Sequence, residues 1–337
     1  MALPYSRAEA KDRARSEWRG GCNVTLPSFN ADFSGLNEAG IRHDIRRGAE
    51  LGFWGTLVAS ESGTTFAEYK RFLEIAVDEA PAGFKIVAHL SFDTVEQAIE
   101  AAQLAEALGA EAGLLSYPQS FRPKSSADIV EHTRHVTDNT DLAMILFATS
   151  AWGFKPLHTA GFPLDALKEM VQIDTAVALK YEGGGSAVMS ALTQVHELCS
   201  PYVIVENPME QQIPVQAREF GTRWWGTSAY ESFGDRVPRV MAALAEDRFD
   251  DAMDIFWSYN AAREAKGAFH ASFAGANLIH RNGWKYLGWL NGFNGGLVRM
   301  PHMRLAPGQM KSLRAGLAAS GFDLPANDDD FYTGRVQ

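Results

Sequence analysis

From about residue 20 the chain repeats one rhythm of hydrophobic and polar positions. A short apolar, β-branched run is followed by a few small or polar residues and then by a helix-length amphipathic stretch. The runs that read as strands are 22–26, 55–60, 85–90, 112–116, 143–148, 176–181, 202–206 and 224–228. Between them, 66–80, 95–108, 127–137 and 164–171 carry the helical period, with Thr94 placed as an N-cap. Strands recurring about every 25 to 30 residues, each followed by a helix, suit a parallel sheet with right-handed crossovers. Eight such units predict an α/β chain folded as a (β/α)8 (TIM) barrel. An open doubly wound sheet is the alternative, but no GxGxxG follows the first strand.

After the eighth unit the pattern changes. Residues 237–259, 261–287 and 307–319 read as helices without strands between them, and no Pro/Gly/Ser-rich linker sets them apart. The expected organisation is therefore an N-terminal extension over 1–19, the barrel over 20–236, and a helical C-terminal extension over 237–337 packed on the barrel.

Composition narrows the function. There are 41 acidic against 31 basic residues, net charge −10, and no long basic block, which argues against a nucleic-acid partner. Cys22 and Cys199 stand far apart, outside any CxxC, and the nine histidines show neither HxH nor HExxH spacing. Neither a disulfide framework nor a metal site is expected. The first residues mix both charge signs where a signal peptide needs an apolar stretch, and no run is long enough to span a membrane. A cytoplasmic protein that does not engage a membrane is the expectation.

Candidate chemistry begins with Lys180, which closes the apolar run Thr175-Ala-Val-Ala-Leu-Lys180 just before Glu182-Gly-Gly-Gly185. Keeping an amine charged at the end of a buried strand is costly, and a neutral amine can attack a carbonyl. In a barrel of this type reacting groups sit at the C-terminal ends of the strands, which is where the sixth strand places Lys180. The alternative is an ordinary strand-end lysine with its ammonium in solvent. His89 ends the third strand and is an acid/base candidate or hydrogen-bonded filler. Glu206-Asn207 ends the seventh and either lines the pocket or caps the following turn. Gly183 and its two neighbours either let a carboxylate approach backbone amides or make the turn into the next helix. Trp284, Tyr286 and Trp289 share a helical surface and are expected to pack in the core or between subunits.

Several segments together carry a resemblance that covers the chain from about residue 19 to 321. They are Asn23-Val-Thr-Leu-Pro-Ser-Phe29, Glu50-Leu-Gly-Phe-Trp-Gly55, Phe92-Asp-Thr-Val-Glu-Gln-Ala-Ile99 with 105–109, and Ala178-Leu-Lys-Tyr-Glu-Gly183. In the tail, Arg248-Phe-Asp-Asp-Ala-Met253, Trp284-Lys-Tyr-Leu-Gly288 and Val298-Arg-Met-Pro-His-Met-Arg-Leu305 complete the series. In this order and spacing the chain resembles the dihydrodipicolinate synthase and N-acetylneuraminate lyase family of Schiff-base aldolases and hydro-lyases. The resemblance implies that Lys180 forms an imine with pyruvate or another 2-oxo acid, that no cofactor is needed, and that the chain assembles as a tetramer or dimer. The imine is an electron sink, so an adjacent carbon can lose a proton or break a carbon–carbon bond.

Three positions depart from the family pattern. Phe147 stands where a tyrosine relays protons, so the expected substitutes are Tyr117, Glu61, Glu182 or a water. The segment Ala59-Ser-Glu-Ser-Gly-Thr-Thr65 replaces a Gly-Thr-Thr-Gly-Glu loop, making Ser60, Glu61 and Ser62 candidates for the substrate carboxylate, or else an ordinary turn capping the next helix at Thr65. Trp152, in Thr149-Ser-Ala-Trp-Gly-Phe154, stands where lysine-pathway members carry an arginine, which favours an apolar or aromatic substrate tail over a second carboxylate. Lys180-Tyr181-Glu182 also resembles the aromatic hydratase-aldolase branch. The expected function is thus a lyase, an aldolase or hydratase-aldolase, that forms a lysine imine with pyruvate or a related 2-oxo acid and has an apolar or aromatic aldehyde partner; the alternatives are a dehydratase of a sugar-derived 2-oxo acid and a non-catalytic 2-oxo-acid sensor.

Overall fold

The computed structural model describes residues 3–274 and 278–336. Eight strands form in chain order: β1 (Gly20–Thr25), β2 (Gly55–Val58), β3 (Lys85–Leu90), β4 (Ala112–Leu115), β5 (Met144–Thr149), β6 (Ala176–Glu182), β7 (Ile204–Glu206) and β8 (Trp224–Gly226). The helices are α1 (Ala10–Glu17), α2 (Glu38–Glu50), α3 (Phe66–Glu79), α4 (Val95–Leu108), α5 (Ser126–Thr137), α6 (Leu164–Met170), α7 (Val188–Cys199), α8 (Ile213–Phe220), α9 (Arg236–Ala245), α10 (Phe249–Ser258), α11 (Asn260–Ala274), α12 (Arg281–Leu290) and α13 (Pro307–Ala319). The sheet order is β7-β6-β5-β4-β3-β2-β1-β8: from β1 to β7 each strand neighbours the next in sequence, and β8 lies beside β1. That is the order of a (β/α)8 barrel, as the alternation predicts. All eight expected strands are present, each within two residues of its expected bounds.

The contacts divide into two compact units, Met1–Gly20 with Lys85–Thr227, and Gly21–Phe84 with Ser228–Gln337. In the first, period-2 alternation sorts the side chains. Leu146, Ala148, Leu179, Tyr181 and Val205 turn outward into one apolar layer with Ile129 of α5, Leu167 and Met170 of α6, and Leu192 and Val195 of α7. Each Leu, Ile, Val or Met side chain among them contributes roughly 1.5–3 kcal/mol of burial, more than a helix cap at about 1 kcal/mol, so this layer dominates the unit's stability. Caps then fix where helices begin: Thr94 accepts from Gln97 N, and Ser125 forms a capping box with Asp128.

Between β5 and β6 the parallel register slips once: Met144 pairs with Ala176 but Ile145 with Ala178. The extra residue, Val177, is a bulge, and beyond it Phe147 pairs with Lys180 rather than with Leu179. Beneath the strands lies α1, a helix within the expected N-terminal extension. Its Ala10 and Ala14 are buried with Trp18, whose Nε1 donates to Glu111 Oε1 at 2.9 Å. Burial alone raises the Glu111 carboxyl, but hydrogen bonds from Arg13 and Trp18 and the charge of Lys85 outweigh it and hold the group below its usual range.

In the second unit β1 and β2 pair in parallel, Cys22 with Gly55 through Thr25 with Val58. The expected helix over 237–259 is two, α9 and α10. Asp247 takes a left-handed φ of 57° between them, and Arg248 N bonds back to Ala243 O at 2.9 Å, which closes α9. The helix expected over 261–287 is likewise divided into α11 and α12; its residues 275–277 lie outside the described residues. Tyr286 and Trp289 stack in the buried layer of α12 with Phe331 beside them, so these tail aromatics serve the core. Among the described residues no helix is long and apolar enough to cross a membrane.

Candidate active site

Lys180 stands two residues before the C-terminal end of β6, and it is 6% exposed. Its alternation with the outward Leu179 and Tyr181 turns it to the inner face of the sheet. There Nζ donates to Thr227 O at 2.8 Å, with Thr227 Oγ1 at 3.4 Å, and lies 3.2 Å from Glu182 Oε1. The ring of Phe147, its register partner on β5, presents its face 4.2 Å from Nζ. On the other side Lys180 pairs in register with Glu206 of β7. Lys180, Glu182, Phe147 and Glu206, expected separately from the sequence, are therefore brought together.

Glu206 is fully buried, and neither carboxylate oxygen has a hydrogen-bond partner. Burial pushes its carboxyl well above the ordinary range; Lys180 pulls it down, Glu182 pushes it up, and the Gly226 N–H acts on it without reaching hydrogen-bond geometry. Capping of the following turn falls instead to Asn207. Its Nδ2 donates to Tyr181 O at 2.8 Å and its Oδ1 accepts from Met209 N at 2.9 Å.

Tyr117 does not join the lysine. It shares parity with Leu115, an outward position, and its hydroxyl bonds Thr133 Oγ1 of α5 at 3.1 Å while its ring packs against Phe121, Phe154 and Phe162. Burial raises the phenol above its usual range. The expectation that Tyr117 replaces the missing relay is corrected: one residue of strand parity puts it in the helix layer. His89 faces inward on β3, with Nε2 3.2 Å from Ser116 Oγ on β4.

Trp152 follows β5 in a short turn capped by Thr149, and its Nε1 donates to Phe147 O at 2.9 Å. The two rings meet edge to face, 5.4 Å between centroids at 81°, so the half-buried Phe147 is held from behind by an indole. A Cβ on Gly183 would fall 2.6 Å from the Tyr181 hydroxyl oxygen, and the Gly184 N–H is engaged by Ala160 O at 2.9 Å. Packing thus accounts for Gly183, and its neighbour's amide is not free for a carboxylate.

In the second unit, Ser60, Glu61 and Ser62 form the turn after β2. Ser62 N donates to Ser60 O at 2.9 Å, and Glu61 is ion-paired with the buried Arg281 at 2.7 Å. The Ser62 hydroxyl is buried with no hydrogen-bond partner, while Thr65 and Glu68 complete the capping box of α3. The same unit buries another amine: Lys285 Nζ lies 3.1 Å from Ser28 Oγ and 3.8 Å from Asp44. Asp44 also accepts from Asn294 N, and Asn294 Nδ2 bonds Ser28, so this network is closed on itself. Among the described residues no cluster of His, Cys, Asp and Glu could hold a metal.

Thr227 was not anticipated. The only signal is the pair of hydroxyl residues closing Trp224-Trp-Gly-Thr-Ser228 at the C-terminal end of β8, where a barrel places its reacting groups.

Residues 29–259 match the model of the dihydrodipicolinate synthetase family. The chain belongs to this family. The 4-hydroxy-tetrahydrodipicolinate synthase of Methanopyrus kandleri is 28% identical over 196 residues, 57% of this chain and 63% of that protein. The first synthase relatives are thus matched over only about half to two thirds of their own length. A probable 5-dehydro-4-deoxyglucarate dehydratase of Acinetobacter baumannii is 23% identical over 309 residues, covering 88% of this chain and 93% of the relative. Among solved structures, N-acetylneuraminate lyase from Fusobacterium nucleatum complexed with pyruvate superposes with a TM-score of 0.72 at 20% identity, covering 91% of this chain and 97% of that one. The likeness fixes the fold of this dihydrodipicolinate synthetase family member as the family's (β/α)8 barrel.

Proposed function

We propose that this protein is a lyase whose Lys180 forms an imine with pyruvate or a related 2-oxo acid, with an apolar or aromatic aldehyde as the second partner. The observation that carries the reading is the amine itself. It is buried at a strand end, fixed by Thr227 and Glu182, and lies against the face of Phe147. Glu182, 3.2 Å away, is placed to take a proton from the ammonium so that the free amine can attack the ketone. Phe147 and Trp152 supply an aromatic wall that suits a flat or apolar tail and offers no charge to a second carboxylate. His89, facing inward on β3, is the candidate for holding the substrate carboxylate, and assembly as a dimer or tetramer in the cytoplasm is part of the proposal.

The test is borohydride reduction in the presence of pyruvate, followed by intact mass and peptide mapping. An adduct on Lys180 that disappears in Lys180→Ala is the expected result; no adduct, or one that persists in the variant, defeats the imine reading.

A dehydratase of a sugar-derived 2-oxo acid is the second reading. It is favoured by the extent of the dehydratase match, 88% of this chain against 57% for the first synthase. Product analysis separates the two, since only carbon–carbon cleavage releases both pyruvate and an aldehyde. An adduct without turnover of any 2-oxo acid would point to a sensor.

A further inference from the structure

We infer that Glu206 is the proton donor and acceptor for the Lys180 imine, doing the work that Phe147 has no hydroxyl to do. The inference rests on the imine reading above. Three observations carry it. Glu206 and Lys180 are register partners on adjacent parallel strands, and strands lie about 4.8 Å apart, so their side chains leave the sheet side by side on one face. Glu206 has no exposure to solvent, and both its oxygens lack a hydrogen-bond partner, an arrangement that is rare for a buried carboxyl with a purely structural role. Asn207, not Glu206, ties the turn after β7 to β6, which leaves the carboxyl no local structural duty. The charged groups acting on it are Lys180 and Glu182 of β6, with the Gly226 N–H from β8. Burial keeps it protonated above the ordinary carboxylate range.

The Lys180 ammonium gives a proton to Glu182, and the amine attacks the ketone carbon, leaving a carbinolamine hydroxyl once its oxygen and nitrogen have exchanged a proton. Glu206 donates its proton to that hydroxyl as the carbon–oxygen bond breaks; water leaves and the iminium forms. The Glu206 carboxylate then removes a proton from the adjacent carbon, giving the enamine and restoring the neutral acid.

The test compares wild type, Glu206→Gln and Glu206→Asp in the rate of cyanoborohydride trapping with pyruvate across pH. Wild type should lose rate at alkaline pH as the acid ionises. Glu206→Gln should trap about 100-fold more slowly and lack that limb, whereas Glu206→Asp should recover part of the rate and keep it. The wild-type-minus-Glu206→Gln infrared difference at neutral pH should show a carboxylic acid band, the acids common to both proteins cancelling. If Glu206→Gln traps at the wild-type rate with the same alkaline limb, the role of Glu206 is overturned while the imine stands. If wild type gives no adduct, the imine reading falls and this inference with it. Should Glu206→Gln fail to fold, Glu206→Asp decides: trapping at the full wild-type rate with an unshifted alkaline limb overturns the proposal.

Discussion

Each unit of this protein buries one lysine beside carboxyl groups, and the two lysines are built differently. Lys285, on α12, reaches Ser28 and Asp44, and both of those also accept from Asn294. Burial lowers the Lys285 amine, with Asp44 opposing. Every member of that network holds another, as expected of a polar core that fixes one packing. Lys180, on β6, has Thr227 and Glu182 on one side, while its neighbour Glu206 is bonded to nothing. A buried acid left unbonded beside an amine is costly to the fold and useful to chemistry. The comparison teaches that burial of a lysine says little about its role; closure of the network around it says more.

The largest expected effect separates the two amines. Lys180→Met should abolish the borohydride adduct and leave the unfolding free energy within about 1 kcal/mol, since its partner Glu182 is partly open to solvent. Lys285→Met should do the reverse: it strands Asp44 in the core, costing roughly 3–5 kcal/mol in denaturant melts, while the folded fraction still forms the adduct. Loss of the adduct on Lys285→Met in fully folded protein would break the distinction.

Trp152→Ala should act on the partner substrate alone. The indole holds Phe147 through its carbonyl and its ring edge, so its removal loosens the aromatic wall without touching the amine. A loss of about 10- to 30-fold in kcat/KM for aromatic aldehydes is expected, with pyruvate trapping within twofold of wild type. Equal losses for a polar aldehyde would remove the case for an apolar tail.

A pair of buried acids repeats the contrast. Glu231, in the second unit, accepts from Val24 N at 3.4 Å, and burial pushes it up to about 7 against the pull of Lys266. Between the ordinary glutamate value and about 7 the folded state holds a proton that the unfolded chain has released. Stability must therefore fall as pH rises through that window, by up to a few kcal/mol, and level off above it. Glu231→Gln should flatten this slope in melts taken from pH 5 to 8; an unchanged slope would assign it to other groups.

The barrel and the buried, inward-facing lysine were legible in the chain because both rest on long-range regularities. Eight apolar runs at even spacing leave few topologies, and an amine ending the sixth run falls at the chemical face of any of them. What was illegible depends on a single residue of register. The bulge at Val177 pairs Lys180 with Phe147, and nothing in Thr175-Ala-Val-Ala-Leu-Lys180 announces it. The role of Glu206 follows from strand pairing, which alternation within Tyr202-Val-Ile-Val-Glu206 cannot supply. The break between α9 and α10 was hidden similarly: Asp247 takes a backbone conformation usually left to glycine or asparagine, in a stretch without Gly or Pro.

Tyr117 gives the smallest effect and the sharpest test of the register argument. As a strand-end phenol in a chain lacking the family's tyrosine it was the natural substitute, yet its hydroxyl meets Thr133 on the helix side of the sheet. Thr133 Oγ1 donates in turn to Ile129 O at 2.8 Å, so the phenol is the donor of the pair and its removal leaves no donor unsatisfied. Tyr117→Phe should therefore cost about 0.5–1.5 kcal/mol of stability and nothing in trapping rate or alkaline limb. Glu206→Gln should show the opposite pattern, a large kinetic loss with a shifted pH profile. If the phenylalanine variant instead slowed imine formation, the parity that sends Tyr117 outward would not describe the working enzyme, and the inward pairing of Glu206 with Lys180 would lose its support at the same stroke.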